Sequence, residues 1–337
     1  MSRRILIVYT GGTIGMLPSE QGYVPMAGFH DRLLQQLDRR ATELLPDYDL
    51  IEFDDLIDSA NLALEDWRRV ALCLAEHWQR YDGFVVLHGT DTMAYSASAL
   101  SFMLGQLDKP VILTGSQIPL AELRNDALDN LITALLLAGN HPIPEVCVLF
   151  NGRLLRGNRS RKVRSDGFDA FDSPNFPWLG RVGIDVEVQN SLLLSAGEPD
   201  LTAPRFDPNA VALMPVYPGI PARILESVLD HGDLRGLILQ TYGVGNPPDG
   251  NRALMDVLER ACDRGIAVLN ITQCHQGAVS QGAYATGATL NRIGVVPGHD
   301  LTPEAAFAKL HTLIARGLEG DELRRALGTP LCGECTI

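Results

Sequence analysis

GFVVLHGTDTMAYSAS, residues 83–98, is the stretch around which the rest of the chain arranges itself. Phe84 to Leu87 are continuously apolar, which suits a strand buried on both faces of a parallel sheet. At its carboxyl end the chain turns abruptly polar, with His88, Gly89, Thr90, Asp91 and Thr92. Small residues at Ala94, Ser96, Ala97, Ser98 and Ala99 then open a helix whose N-terminus faces that cluster. Ligands of open α/β sheets bind outside the carboxyl ends of strands, and helix N-termini favour anionic groups. A carboxylate between two hydroxyls at such a place reads as a small-molecule site. Thr and Asp are also preferred helix-capping residues, so this stretch alone leaves both readings open.

Strands of the same kind lie on either side of it. Arg4–Val8 runs into Tyr9-Thr10-Gly11-Gly12-Thr13-Ile14-Gly15, and Pro110–Leu113 ends in Thr114-Gly115-Ser116-Gln117. A helix over Asp126–Gly139 leads to a strand at Val146–Phe150. Alternating buried strands and helices predict an α/β fold with a doubly wound, mainly parallel sheet. Three strand ends carry Thr or Ser beside Gly (10–13, 89–92 and 114–116), and hydroxyls converging on one sheet edge strengthen the site reading. The glycine loop is neither a P-loop nor a GxGxxG fingerprint; its distinctive residue is Thr13, held among backbone N–H groups. PSEQGYVP (18–25) is polar and turn-rich with one aromatic, Tyr23, and reads either as a mobile lid or as a plain surface hairpin. Helical spacing covers Phe29–Leu45, a short strand at Tyr48–Phe53 delivers Asp58-Ser59-Ala60-Asn61 into a loop, and Leu64–Trp78 is amphipathic.

A chain of 337 residues, 46% hydrophobic and 20% charged, predicts about two domains with ordinary cores. Lys and Arg total 28 against 41 Asp and Glu, a net charge of −13, which argues against a broad nucleic-acid-binding surface. The apolar run after Arg3-Arg4 is too short for a signal peptide and no run has membrane length, so the chain reads as soluble and cytoplasmic. Residues 1–194 form the N-terminal domain and 195–210, rich in Pro, Asp and Ala, a linker. A smaller α/β domain spans 211–337, with strands at Val211–Val216, Leu237–Gln240 and Ala267–Thr272 and helices at Ala222–Leu229, Ala253–Asp263 and Pro303–Arg316. Arg153, Arg156, Arg159, Arg161, Lys162 and Arg164 form a charge run, and such a run reads chiefly as a solvated face. Cys73, Cys147 and Cys262 sit in apolar surroundings as small core residues, and Cys274 is kept as structural beside His275. Cys332 and Cys335 have CxxC spacing without a second ligand pair and are expected to be exposed tail thiols.

GxSxG, HExxH and paired-Cys zinc patterns are absent. What remains is hydroxyl chemistry at Thr13 and Thr90 beside Asp91, and a hydroxyl nucleophile needs a base within hydrogen-bond reach. YTGGTIG (9–15) and HGTDTMAYSAS (88–98) resemble the two signature segments of bacterial-type L-asparaginases, closest to the cytoplasmic type I enzymes, and the likeness covers essentially the full length. EQGYVP (20–25), TGSQIPLAELRND (114–126), GNR (157–159) with Lys162, SDGFDAF (165–171) and YGVGN (242–246) support it.

The resemblance implies hydrolysis of L-asparagine to L-aspartate and ammonia without a cofactor or metal. Thr13 would attack the side-chain amide carbon to give a β-aspartyl enzyme, with Tyr23 assisting. Thr90, Lys162 and Asp91 would form a second hydroxyl–amine–carboxylate group, with Lys162 turned into the site and the neighbouring arginines to solvent. Asp91 would also hold the α-ammonium and Ser59, beside Asp58, the α-carboxylate, with Ser116 joining the substrate-binding set. Backbone N–H groups near Thr90 would form an oxyanion hole. A homodimer or dimer of dimers is implied, with Asn246 and Tyr284 as candidates for completing a partner's site; neither nucleic acid nor membrane is a partner. Some cytoplasmic members have an effector pocket with an Arg where this chain has Gln240, and a small hydroxyl residue where it has Arg161, so cooperative activation by asparagine is not expected. Two rivals are an asparaginase-like subunit of tRNA-dependent glutamyl amidotransferase and a non-catalytic amino-acid sensor. The first carries an extra N-terminal domain and fits poorly with an acidic chain, whereas here TGGTIG starts at once. The intact Thr13, Thr90, Asp91 and Lys162 count against the second.

Overall fold

Parallel strands buried on both faces dominate a computed structural model that describes residues 3–20, 22–25, 28–37, 45–230, 232–282 and 285–337. It divides into two compact units, Met1–Ala203 and Pro204–Ile337. The strands of the first are β1 (Arg4–Gly11), β2 (Met16–Ser19), β3 (Gly22–Pro25), β4 (Asp47–Ile57), β5 (Gly83–Leu87), β6 (Val111–Thr114), β7 (Val146–Phe150), β8 (Arg153–Arg156), β9 (Arg161–Lys162), β10 (Phe171–Asp172), β11 (Gly180–Val182) and β12 (Val186–Val188). Its helices are α1 (Phe29–Leu37), α2 (Leu64–His77), α3 (Met93–Leu104) and α4 (Ala127–Asn140).

The main sheet runs β12-β11-β8-β7-β6-β5-β1-β4. β4, β1, β5, β6 and β7 are parallel, and β8, β11 and β12 extend the sheet antiparallel. From β1 the chain goes out to β4 on one side and then to β5 on the other. The crevice at the carboxyl ends of β1 and β5 is therefore the topological switch point, where such sheets bind ligands. Alternate residues of these strands face opposite layers. Ile5, Ile7, Tyr9, Val85 and Leu87 share a core with Phe29 and Leu33 of α1 and with Leu131 and Leu135 of α4. Phe84, with the opposite parity, stacks at 5.1 Å on Trp78, which follows α2. α3 is buried along its whole length except at Tyr95, as an all-round apolar helix must be.

Several expectations need correction. Arg156 and Arg159 are buried, not solvated. Arg156 Nε donates to Glu145 Oε2 at 2.7 Å, and the ring of Phe176 lies 4.4 Å from one guanidinium and 5.0 Å from the other. A buried counter-charge and an aromatic face replace the lost solvent. Arg164 stays half-exposed and pairs with Asp169. The helix expected over 29–45 is described as α1, and 38–44 lie outside the described residues. Within 195–210, residues 195–203 belong to the first unit: the N–H groups of Gly197 and Asp200 donate to the carbonyls of Leu107 and Leu104 at and beyond the end of α3.

The second unit has a parallel sheet in the order β13 (Val211–Pro215), β14 (Gly236–Thr241), β15 (Ala267–Thr272) and β16 (Val296–Pro297). Its helices are α5 (Ala222–Leu229), α6 (Arg252–Asp263), α7 (Ala285–Arg292), α8 (Pro303–Ala315) and α9 (Gly320–Leu327). Cys332 and Cys335 are buried rather than exposed, because the tail folds around a carboxylate. Glu334 accepts the N–H groups of Leu331 and Cys332 and pairs with Lys309 of α8 at 2.7 Å, both side chains fully enclosed. Lys309 also donates to the carbonyls of Leu327 and Thr329, so each of its three protons has an acceptor. Cys147 and Cys262 are buried and Cys73 half-buried, whereas Cys274 is exposed on a turn and fills no core. No helix among the described residues is long and apolar enough to cross a membrane.

His311 of α8 lies edge-on to Phe307 at 4.5 Å, and burial pushes its imidazole down from 6.5 to about 4. A folded value below the unfolded one leaves stability full above about pH 6.5; it is lost as pH falls towards 4, because the unfolded chain takes up the proton first. The gap is worth about 3 kcal/mol. Chemical denaturation at pH 7 and pH 4 is expected to show His311→Leu losing about 2–3 kcal/mol less than the parent between the two. Equal losses in both proteins would acquit His311.

Candidate active site

Four loops at the carboxyl ends of β1, β4, β5 and β6 carry Thr13, Ser59, Thr90 and Ser116. Two glycines let three of these loops approach closely. Gly12, at φ 83°, lies so close to Gly89 that a Cβ on it would overlap the Gly89 backbone, and a Cβ on Gly89 would overlap the Ser59 hydroxyl. Thr13 follows directly, half-buried, at the start of a single 3-10 turn over Thr13–Gly15. Asp58 caps the turn Ser59–Asn61 by accepting the Ala60 N–H at 3.1 Å, and Ser59 is buried.

The polar cluster after β5 does not serve as a helix cap. Thr92 is the N-cap residue of α3 but makes no capping bond; its hydroxyl donates to the Ser59 carbonyl at 2.8 Å. Thr90, 5% exposed, and Asp91 both meet Lys162, whose Nζ donates to Thr90 Oγ1 at 2.8 Å and to Asp91 Oδ1 at 2.7 Å. β9 pairs with β10 to present this lysine, opposite Phe171. The Thr90 hydroxyl donates in turn to Gln117 Oε1 at 3.3 Å.

Beneath Thr90, His88 is buried and desolvation pushes its imidazole down, with the Gly89 carbonyl acting the other way. A neutral ring has one N–H. Nδ1 lies 2.7 Å from the Gly89 carbonyl, which only accepts, so Nδ1 carries the proton. Nε2 must then accept from Ser96 Oγ at 2.9 Å, and Ser96 accepts the Trp67 indole N–H at 3.1 Å. This chain anchors the loop to α2 and α3. The 115–117 loop is held from α4: Asp126 accepts the N–H groups of Gln117 and Ile118 at 3.0 Å, and Asn130 donates to the Gly115 carbonyl. Sequence reasoning assigned no role to Gln117, Ser96 or Trp67, although TGSQ and the residues around His88 were conspicuous.

Not every expected residue joins the group. Tyr23 sits on β3 of the antiparallel hairpin β2–β3, half-exposed, and its hydroxyl donates to Glu122 Oε1 at 2.7 Å. That bond to a carboxylate pushes the pKa of the phenol up, which keeps it protonated. Ser116 is fully buried, and its hydroxyl has no partner among the described residues. Asn246 closes a turn with Tyr242 in the second unit, and Tyr284 lies outside the described residues. Gln240 is on β14, where its carbonyl accepts from Gln273; Arg161 is half-buried beside Lys162. No three His, Cys, Asp or Glu side chains gather as a metal set among the described residues. The groups on hand are two threonine hydroxyls, an amine and carboxylates, with backbone N–H groups around them, which suits acyl transfer at a carbonyl carbon.

A family model described as "Asparaginase, N-terminal" matches residues 4–194, and one described as "Glutaminase/Asparaginase C-terminal domain" matches 210–327. The chain is 48% identical over 334 residues to "L-asparaginase 1" of Escherichia coli (strain K12), covering 99% of this chain and 98% of that protein. It is 40% identical over 357 residues to the "60 kDa lysophospholipase" of Mus musculus, covering 99% of this chain but 63% of that protein. The crystal structure of L-asparaginase I from Vibrio cholerae matches with a TM-score of 0.91 and 44% identity over 100% of both chains.

Proposed function

The chain belongs to the asparaginase family, and from that premise we propose that it hydrolyses L-asparagine to L-aspartate and ammonia, with Thr13 as nucleophile and no cofactor. The observation that carries the site assignment is the hydrogen-bonded group of Thr90, Lys162 and Asp91, joined to the Thr13 loop by the Gly12–Gly89 contact. Thr13 Oγ attacks the side-chain amide carbon and gives up its proton. The resulting oxyanion is held by backbone N–H groups, and the amide nitrogen leaves as ammonia after protonation. Water then attacks the β-aspartyl ester, Thr13 recovers its proton and aspartate departs. Thr90 and Lys162 handle protons, Asp91 holds the α-ammonium, and Ser59 with Asp58 and Ser116 positions the remainder of the amino acid. Tyr23 assists Thr13 from its hairpin once its hydroxyl leaves Glu122. A homodimer or dimer of dimers in the cytoplasm, with Asn246 and Tyr284 completing a partner's site, is the assembly proposed with this reading.

Ammonia release by the purified protein tests it, with asparagine and glutamine compared. Anchoring both α-groups fixes how far the amide carbon lies from Thr13, so one extra methylene misplaces it. Asparagine is expected to exceed glutamine in kcat/KM by at least about tenfold. Equal values for the two amides would overturn the anchoring scheme, and no ammonia from either would overturn the function.

A further inference from the structure

Gln117, which accepts from the Thr90 hydroxyl, has further partners of its own. Its Nε2 donates to the carbonyls of Ser165 at 3.2 Å and Gly167 at 3.1 Å. Carbonyl oxygens only accept, so flipping the amide would set Oε1 against two oxygens. The backbone N–H of Gln117 is itself gripped by both carboxylate oxygens of Asp126 at 3.0 Å. Oε1 is therefore committed to Thr90, and as an acceptor it takes the single hydroxyl hydrogen. What Thr90 has left for Lys162 is a lone pair, and Nζ donates to it at 2.8 Å.

We propose that Gln117 is a positioning residue that sets the direction of the Thr90 O–H bond and so keeps the shared proton of the Thr90–Lys162–Asp91 group on Lys162 until substrate arrives. The inference rests on the amidohydrolase reading. For Thr90 to hand a proton to Lys162, Nζ must first release one of its own to Asp91 Oδ1, its other partner, and the Thr90 hydrogen must turn from Gln117 to Nζ. The locked amide opposes that turn. One neighbouring charge also acts on this balance, and it is common to every variant compared. Asp91 is the charged partner of Lys162, while Asp172 on the paired strand β10 is engaged by Arg153 and Trp178. Asp169 in the same hairpin pairs with Arg164, and α3, packed on β9, carries no charged residue.

Two substitutions move the balance in opposite directions. Gln117→Met keeps the length and frees the Thr90 hydrogen to face Nζ, which favours the neutral amine. Gln117→Glu keeps an acceptor, loses the N–H donors and adds a negative charge that favours the ammonium. In pH profiles of kcat for asparagine, the acid-side midpoint is expected to fall by about one pH unit in the first and to rise by about one in the second. KM is expected to change less than about threefold, since Gln117 is assigned no contact with either α-group. A merely structural role would lower kcat or the thermal midpoint without moving the acid limb. If Gln117→Met does not fold, the nearly isosteric Gln117→Glu decides by its upward move. Coincident acid midpoints in an active wild type and the folded variants would overturn the assignment of Gln117 alone. A wild type that released no ammonia would overturn the amidohydrolase reading and this inference with it.

Discussion

Thr13→Ala is expected to lower kcat for asparagine by about 10⁴-fold or more while the protein remains folded, because removal of a nucleophile forfeits the covalent route altogether. Thr13 is half-buried on a single turn and its side chain is no part of the core, so the thermal midpoint should shift little. Thr13→Ser, which keeps a hydroxyl at the same position, should recover a measurable part of the rate. Steady-state ammonia release beside a thermal melt reads both quantities. A folded Thr13→Ala variant retaining a tenth of the parent activity would move the nucleophile elsewhere, with Thr90 the next hydroxyl to examine.

Lys162→Met carries the second large effect. The substitution keeps the length of the side chain and removes the amine that bonds Thr90 and Asp91. Loss of a general acid–base group costs roughly 10²–10⁴-fold in rate, and that range is expected for kcat here. Arg164→Met is the matched control two residues on. Its guanidinium is half-exposed and pairs with Asp169 at the surface, where ion pairs are worth about 0–1 kcal/mol, so kcat should change less than about twofold. Were both variants to lose activity equally and slightly, the proton-handling group would have to be rebuilt without the lysine.

The parallel core was legible because its signal is local. Residues 84–87, 111–113 and 146–150 are short apolar runs bounded by Gly, Pro or polar turns, and the strands lie there to within a residue or two. The loops bearing Thr13 and Thr90 were legible for the same reason, since each follows its strand at once. What escaped was set by distant partners. RLLR at β8 has an apolar centre, but its flanking arginines read as solvated until Glu145 and Phe176 are seen to enclose Arg156. Gln117 carries no mark of its connection to Ser165 and Gly167, about fifty residues on, because the acceptors are backbone carbonyls. The tail cysteines escaped because what encloses them is the pairing of Glu334 with Lys309 on α8, which no local pattern reveals.

That enclosed pair has a consequence for how the protein is made. Lys309 leaves the ribosome 25 residues ahead of Glu334 (334 − 309), and at about 5–20 residues per second the lag is on the order of seconds. During that interval α8 cannot dock with Lys309 charged and unpaired in the interior, where removal of one partner costs roughly 3–5 kcal/mol. The nascent second unit must leave this helix loose, or keep the amine in water, until the counter-ion emerges. The first unit holds its buried Arg156 otherwise: Glu145 precedes it, so the carboxylate is already waiting when that guanidinium appears. Vectorial synthesis thus meets the Lys309–Glu334 and Glu145–Arg156 pairs in opposite order, and the packing of α8 is timed by Glu334.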